Sequence, residues 1–199
     1  MRVGWVLWSL VAGCGFAGPP IEGQVLAADA GFDVARCPAT YNADLPGPSR
    51  YRLIPDGHPV WIQSDACAAD LAGATHLVVL SSAAELTAVS ALVSAPPIGT
   101  AGNAVWVGAV QSLTATQMDE GWLGFDGNPM LAVWGGIEPN DHGDNSEADH
   151  EEQFVKIERP HAYLSDAPGT DNLGALCECD GAPIAENAAA LLAALRPGS

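Results

Sequence analysis

The sequence predicts an α+β fold for a chain of 199 residues. Three observations predict it. Helical periodicity occurs twice and early, over residues 60–72 and from residue 82 to the prolines at 96 and 97. Short apolar runs of strand length follow from residue 104 onward, and long Gly-rich stretches without a period separate them. Helices grouped ahead of strands, with no βαβ alternation, mark α+β rather than α/β. There is no internal repeat.

Taken in order, residues 15–48 are rich in Gly, Pro, Ala and Asp and read as a linker or tether. Residues 51–54 (YRLI) read as a short strand. Over 60–72, Trp61, Ile62, Ala66, Cys67 and Leu71 recur at helical spacing, and Gly73 ends the run. Residues 75–80 (THLVVL) read as a strand. Ser82-Ala83-Ala84-Glu85 is a capping box: the Ser82 hydroxyl can accept an early N–H and Glu85 can reach back. The helix it opens has Leu86, Val89, Leu92 and Val93 on its core face, and Pro96-Pro97 stops it. Residues 104–110 (AVWVGAV) read as a buried strand, followed by short strands at 154–157, 162–164 and 173–178. The Ala/Leu-rich segment 185–195 reads as a terminal helix.

Apolar residues make up 48% of the chain, and six Trp, three Tyr and four Phe supply anchors for one packed core. The net charge is −17, with seven Lys and Arg, which would repel nucleic-acid phosphates. No stretch reaches the roughly 18 to 20 apolar residues that span a bilayer. No nucleophile elbow is present, and Ser81, Ser82 and His76 do not make a hydrolase site, so the sequence offers no case for an enzyme.

At the N-terminus, Arg2 is a minimal positive region, residues 3–11 are apolar, and Ala12-Gly13 is a small-residue cleavage site. Val11-Ala12-Gly13-Cys14 resembles the lipobox of bacterial lipoproteins, which implies lipidation of Cys14. An ordinary secretory signal and a buried cysteine are the alternatives. Either signal implies export to a compartment where disulfides persist. The chain has five cysteines, Cys14, Cys37, Cys67, Cys177 and Cys179. Without Cys14, four remain, and they allow three pairings.

Residues 138–152 hold seven carboxylates and no basic charge. Charges this dense repel unless a cation joins them. Ca²⁺ takes six to eight oxygen ligands, and Glu138, Asn140 and Asp141 are of the right types. Pro139 between them puts two oxygen ligands on one side of a bend, which a cis Glu138–Pro139 bond would lock. An EF-hand over 141–152 is excluded, because Gly143 holds the third place and Ser146 the sixth, where that loop needs Gly. Asp144, Asp149 and Glu151 read as solvated loop charges. His142, His150 and His161 read as loop histidines, and Trp106, Trp122 and Trp134 as packing residues.

These pieces, in this order, resemble a C-type lectin-like domain over residues 51–179. Residues 61–67 resemble that family's first helix with its cysteine, and 82–93 its second helix. Trp106-Val107-Gly108 sits at the Trp-Ile-Gly core strand. Glu138-Pro139-Asn140 matches the sugar-binding tripeptide of mannose-type members, and Leu176-Cys177-Glu178 the closing strand. With the resemblance, the chain divides into the signal segment over 1–14 and the linker over 15–48 read above, the lectin-like domain over 49–180 and a tail over 181–199. The resemblance implies a Cys67–Cys177 disulfide, which leaves Cys37 and Cys179 as a second pair. Closing about 110 residues would contribute about 4 to 5 kcal/mol in the chain-entropy account. The family's inner disulfide is missing, with Phe154 and Asp166-Ala167-Pro168 at its positions.

The resemblance further implies one Ca²⁺ held by Glu138, Asn140, a later Glu and an Asn-Asp pair, with vicinal hydroxyls of a mannose- or glucose-like glycan as further ligands. Glu152 fits the later Glu, with Glu147 the alternative. Leu164-Ser165-Asp166 stands at the family's Trp-Asn-Asp, so Asp166 keeps its role while Ser165 replaces the amide. A hydroxyl is shorter and a poorer Ca²⁺ ligand, which puts in doubt one hydrogen bond worth roughly 1 kcal/mol. A second family Ca²⁺ site would use Asp141 and Glu120, with Gln111 near where an acid is expected. Two function classes follow: a Ca²⁺-dependent carbohydrate-binding module, in the cell envelope as an outer-membrane lipoprotein or extracellular, or a calcium-independent scaffold that binds a surface protein or acts as an adhesin. Membrane contact would come only through a lipid anchor on Cys14.

Overall fold

The computed structural model describes residues 32–43, 45, 49–94, 104–131, 133–140, 151–158 and 163–198. The signal segment with Cys14, and Asp141, His142, Asp144, Glu147, Asp149, His150 and His161, lie outside the described residues.

Strand β1 (Arg50–His58) leads through Pro59 into helix α1 (Val60–Asp70). The helix ends where the Thr75 hydroxyl takes over: it accepts from the Leu71 N–H (3.1 Å) and donates to the Cys67 carbonyl (2.7 Å). The buried stripe of α1 is Val60, Gln63, Ser64 and Cys67, at i, i+3, i+4 and i+7. This corrects the expected face, since Trp61 and Ala66 are half-buried and Ile62 is 46% exposed. The reason is Gln63: its amide donates to the carbonyls of Asp56 (2.6 Å) and Leu173 (2.8 Å), so a polar residue sits inside fully hydrogen-bonded.

Strand β2 (Thr75–Leu77) is shorter than the apolar run suggested. Beyond Leu77 the chain stays buried but leaves the ladder, with the Val78 N–H on Leu176 O and Val78 O accepting from Gly108 N–H. A side chain at Gly108 would meet the Leu77 carbonyl at 2.5 Å, so only glycine permits this approach.

Helix α2 (Ala83–Ser94) starts on the capping box. Ser82 Oγ accepts the Glu85 N–H (3.1 Å), and Glu85 reaches back one residue further than expected, to the N–H (2.8 Å) and hydroxyl (2.7 Å) of Ser81. Leu86, Val89, Ser90 and Val93 are buried, and Leu92 is half-buried against the same core. The remaining elements are β3 (Ala104–Gln111), β4 (Trp122–Gly124), β5 (Phe154–Glu158), β6 (Tyr163–Ala167), β7 (Leu173–Cys179) and α3 (Glu186–Ala194).

Among the described residues, seven strands form one mixed sheet. Its path runs β1-β7-β3-β5-β6, with β2 also on β7 and β4 also on β3. Among these described strands, only the β3–β7 pair is parallel. Strand β3 is buried along its whole length, and its alternate residues enter different clusters. Val105, Val107 and Ala109 pack with Leu86, Val89 and Val93 of α2. Trp106 and Val110 pack with Val60 and Cys67 of α1 and with Ala188 and Leu192 of α3. Arg196, just past α3, ties back to the Asp65 carboxylate (2.8 Å) and the Trp61 carbonyl (3.3 Å) on α1.

Two disulfides, Cys67–Cys177 and Cys37–Cys179, fasten α1 and the segment before β1 to the last strand. No helix among the described residues is long and apolar enough to cross a membrane.

Candidate functional site

Strand β6 positions one half of the site. Ser165 and Asp166 lie side by side on it, each 2% exposed, and Asp166 is in register with Val155 of β5. The other half arrives along the same strand. Leu164 donates to the Val133 carbonyl (3.0 Å) and accepts from the Gly135 N–H (3.0 Å), and Trp134 pairs with Leu164 in parallel. A side chain on Gly135 would enter the Tyr163 ring, so this segment approaches β6 only through glycine. Trp134 is braced beneath by an edge-to-face contact with Trp122, ring centroids 5.0 Å apart.

The segment then turns, with Glu138 N–H on Gly135 O (2.8 Å), and the Glu138–Pro139 peptide is cis. Beyond the turn, the Asn140 N–H donates to Asp166 Oδ2 (2.9 Å), and the Asn140 amide donates to the Glu138 carboxylate. Glu138, Asn140 and Asp166 are therefore in one place, with the Ser165 hydroxyl beside them, donating to the Asp166 carbonyl (3.3 Å).

The electrostatics reflect that crowding. Partial burial pushes the Glu138 carboxyl up to about 7, and the neighbouring Asp166 carboxylate adds to it, while Ser165 and Asn140 act the other way. Two acids and an amide on one tip, all offering oxygen, fit a hard cation such as Ca²⁺. Glu152 is half-buried at the approach to β5, two residues before Phe154, where β5 meets Ala167 of β6.

The region considered for a second cation is built differently. Gln111 is 1% exposed, and its amide nitrogen faces the carbonyls of Gln117 (3.3 Å), Met118 (3.2 Å) and Glu120 (3.1 Å). An amide donor thus occupies the centre toward which these carbonyls point. The Glu120 carboxylate is exposed and accepts from the Thr116 hydroxyl (3.2 Å).

One constellation escaped the sequence reading. His76, Glu178 and Asp180 converge between β2 and the end of β7. The available signal was a histidine within an apolar strand and two acids at i and i+2 around Cys179, which strand periodicity puts on one face.

No protein-family model and no curated protein sequence matches the chain. Solved structures do. The C-type lectin CEL-I from Cucumaria echinata superposes with a TM-score of 0.58 at 17% identity, covering 72% of this chain and 96% of that one. The mouse scavenger receptor C-type lectin carbohydrate-recognition domain gives 0.57 at 16% identity, covering 72% and 98%. A calcium-independent type II antifreeze protein gives 0.53 at 18% identity, covering 72% and 94%. At these identities the likeness concerns the fold. The chain has the α+β fold of C-type lectin-like domains, held by two disulfides.

Proposed function

We propose that this chain is an exported, calcium-dependent carbohydrate-binding domain whose site is the Glu138-Pro139-Asn140 tip against Asp166. The observation that carries this reading is the Asn140 N–H to Asp166 bond. It brings a local tripeptide and a distant carboxylate into one oxygen-donor set.

Glu138, Asn140 and Asp166 would hold Ca²⁺, with Glu152, Asp141 and Ser165 as the remaining candidate ligands. When bound, Ca²⁺ supplies coordination for two vicinal hydroxyls of a mannose- or glucose-like sugar. The chain's own groups do the rest. The carboxylates of Glu138 and Asp166 accept the hydroxyl protons, the Asn140 amide donates to a hydroxyl oxygen, and Pro139 fixes the angle between them. Ligand groups that also bind the sugar make recognition depend on the cation. Two disulfides fit an oxidising compartment, and the Cys14 segment fits export with lipid anchoring in the cell envelope.

The test is retention on a mannose matrix. The expected result is binding in millimolar Ca²⁺ and release by EDTA, with loss in Glu138→Gln. Retention that survives the chelator, or none at all, overturns this reading. It would support the second one, a calcium-independent scaffold for a surface protein, which Ser165 at an amide's place favours. Mass spectrometry of the mature N-terminus tests lipidation of Cys14.

A further inference from the structure

We propose that His76, Glu178 and Asp180 form a binding site for one divalent cation of the zinc class, separate from the candidate sugar site. The ligand atoms of all three residues lie within 4.8 Å of one another. His76 is 2% and Glu178 5% exposed, while the Asp180 side chain, 23% exposed, leaves a way in.

The spacing suits a small tetrahedral ion. Ligands at about 2.0–2.1 Å from such an ion lie about 3.3 Å from each other. His76 Nε2 and Asp180 Oδ1 are 3.2 Å apart, already at that edge length. Glu178 brings a carboxylate oxygen within 4.8 Å of both.

Each ligand is also oriented by a backbone group outside the cluster. His76 Nδ1 donates to the Leu77 carbonyl (2.7 Å), so Nε2 is the nitrogen that faces the acids; without a cation it carries the proton of the ion pair with Asp180, and a cation would take that proton's place. The Val79 N–H holds Glu178 Oε2 (3.0 Å), and the Ala182 N–H holds Asp180 Oδ1 (2.8 Å). Cys179, between the two acids, is bonded to Cys37, which anchors the backbone that carries both. Bound metal ligands are usually supported in this way.

Charge and chemistry select the ion. Once the cation displaces the Nε2 proton, the imidazole and two carboxylates carry two negative charges, which one divalent cation neutralises. Imidazole nitrogen favours zinc and its neighbours over Ca²⁺ or Mg²⁺, which prefer all-oxygen sets. Three protein ligands leave a fourth position for water on the Asp180 side.

The test is calorimetric titration of the full chain with Zn²⁺ in excess Ca²⁺, which keeps the candidate sugar site filled. One Zn²⁺ per chain is expected, with affinity at least tenfold weaker in both Asp180→Asn and His76→Gln and unchanged in Glu138→Gln. Co²⁺ in place of Zn²⁺ should give the intense visible bands of a tetrahedral site, lost in Asp180→Asn. Asp180 is partly exposed, so Asp180→Asn folds even if His76→Gln does not. No binding up to millimolar Zn²⁺ overturns the proposal. So does binding that Asp180→Asn leaves unchanged, which would assign it to the other four histidines.

Discussion

The Asn140 N–H meets the Asp166 carboxylate at 2.9 Å across 26 residues of sequence, joining the turn at Pro139 to strand β6. The bond holds the loop tip, and under the proposed function the same carboxylate would also offer oxygen to the cation. The two can be separated by substitution. Asp166→Asn keeps an acceptor for the Asn140 N–H and removes the charge, so Ca²⁺ affinity should fall tenfold or more with little change in stability. Asp166→Ala removes both, and should also destabilise the fold by about 1–3 kcal/mol through the orphaned N–H. Calcium titration and thermal unfolding of the two variants separate the effects.

The disulfides should contribute non-additively. Cys37–Cys179 and Cys67–Cys177 end on alternate residues of the same strand. With either bond in place, the other closes an effective loop of only about 30 residues, worth about 3–4 kcal/mol in the chain-entropy account. The second bond to be removed then opens a loop of more than 100 residues and costs about 4–5 kcal/mol. Denaturant unfolding of Cys37→Ser/Cys179→Ser, Cys67→Ala/Cys177→Ala and the quadruple variant checks this. Equal increments at the two steps would count against it, once cavity cost at the fully buried Cys67 and Cys177 is allowed for.

Alkaline pH should unfold the chain through two tyrosines. Burial raises the Tyr41 hydroxyl well above its ordinary value, reinforced by its 2.8 Å hydrogen bond to Asp70, while Arg52 opposes. Burial raises Tyr51 likewise, with the Glu178 and Glu85 carboxylates adding to it. A folded-state pKa above the unfolded one means that the fold favours the neutral form. This stability is fully present below about pH 10 and is lost as pH rises beyond it, at up to about 1.4 kcal/mol per pH unit for each tyrosine. Tyrosinate absorbance of these two residues should therefore rise only with unfolding, and Tyr51→Phe should flatten the pH dependence.

What could be read from the sequence depended on whether a residue's partner was local. The start of α2 was legible because its hydrogen bonds are local: Ser82 accepts the Glu85 N–H, and the Glu85 carboxylate reaches back to Ser81. The buried face of α1 was not, because Gln63 is made compatible with the interior by carbonyls of Asp56 and Leu173, and only the fold brings Leu173 there. Strand β2 looked six residues long, since Val78 and Leu80 are as buried as a strand's residues, but beyond Leu77 the chain leaves the ladder and only Val78 bonds on to Leu176 and Gly108. At the site, Glu138 and Asn140 declared themselves as a tripeptide. The nearness of Asp166 rested on resemblance, because no local pattern spans 26 residues. His76 was weighed only with Ser81 and Ser82 as a hydrolase set, because its partners lie more than 100 residues away.

Gln111 provides the sharpest test of how the loop beside β4 is held. Its amide nitrogen has two protons facing three carbonyls, and its oxygen accepts from the Gln153 amide (3.1 Å). The position therefore requires a donor. Gln111→Glu keeps the shape but directs a carboxylate at the carbonyls of Gln117, Met118 and Glu120. Gln111→Leu removes the donors without adding charge. Both should destabilise the chain at pH 7, Leu by about 1–3 kcal/mol for carbonyls left unsatisfied and Glu by at least as much. The two should part company on acidification. Burial would raise the new Glu above about 4.3, so its protonated form, which can donate one hydrogen bond, is the one the fold accepts. The deficit of Gln111→Glu relative to wild type should then be smallest below about pH 4 and widen as pH rises, while that of Gln111→Leu stays level. Denaturant unfolding of both variants across this range decides it. A Glu variant as stable as wild type at pH 7 would mean that a cation, and not an amide, is what this loop closes around.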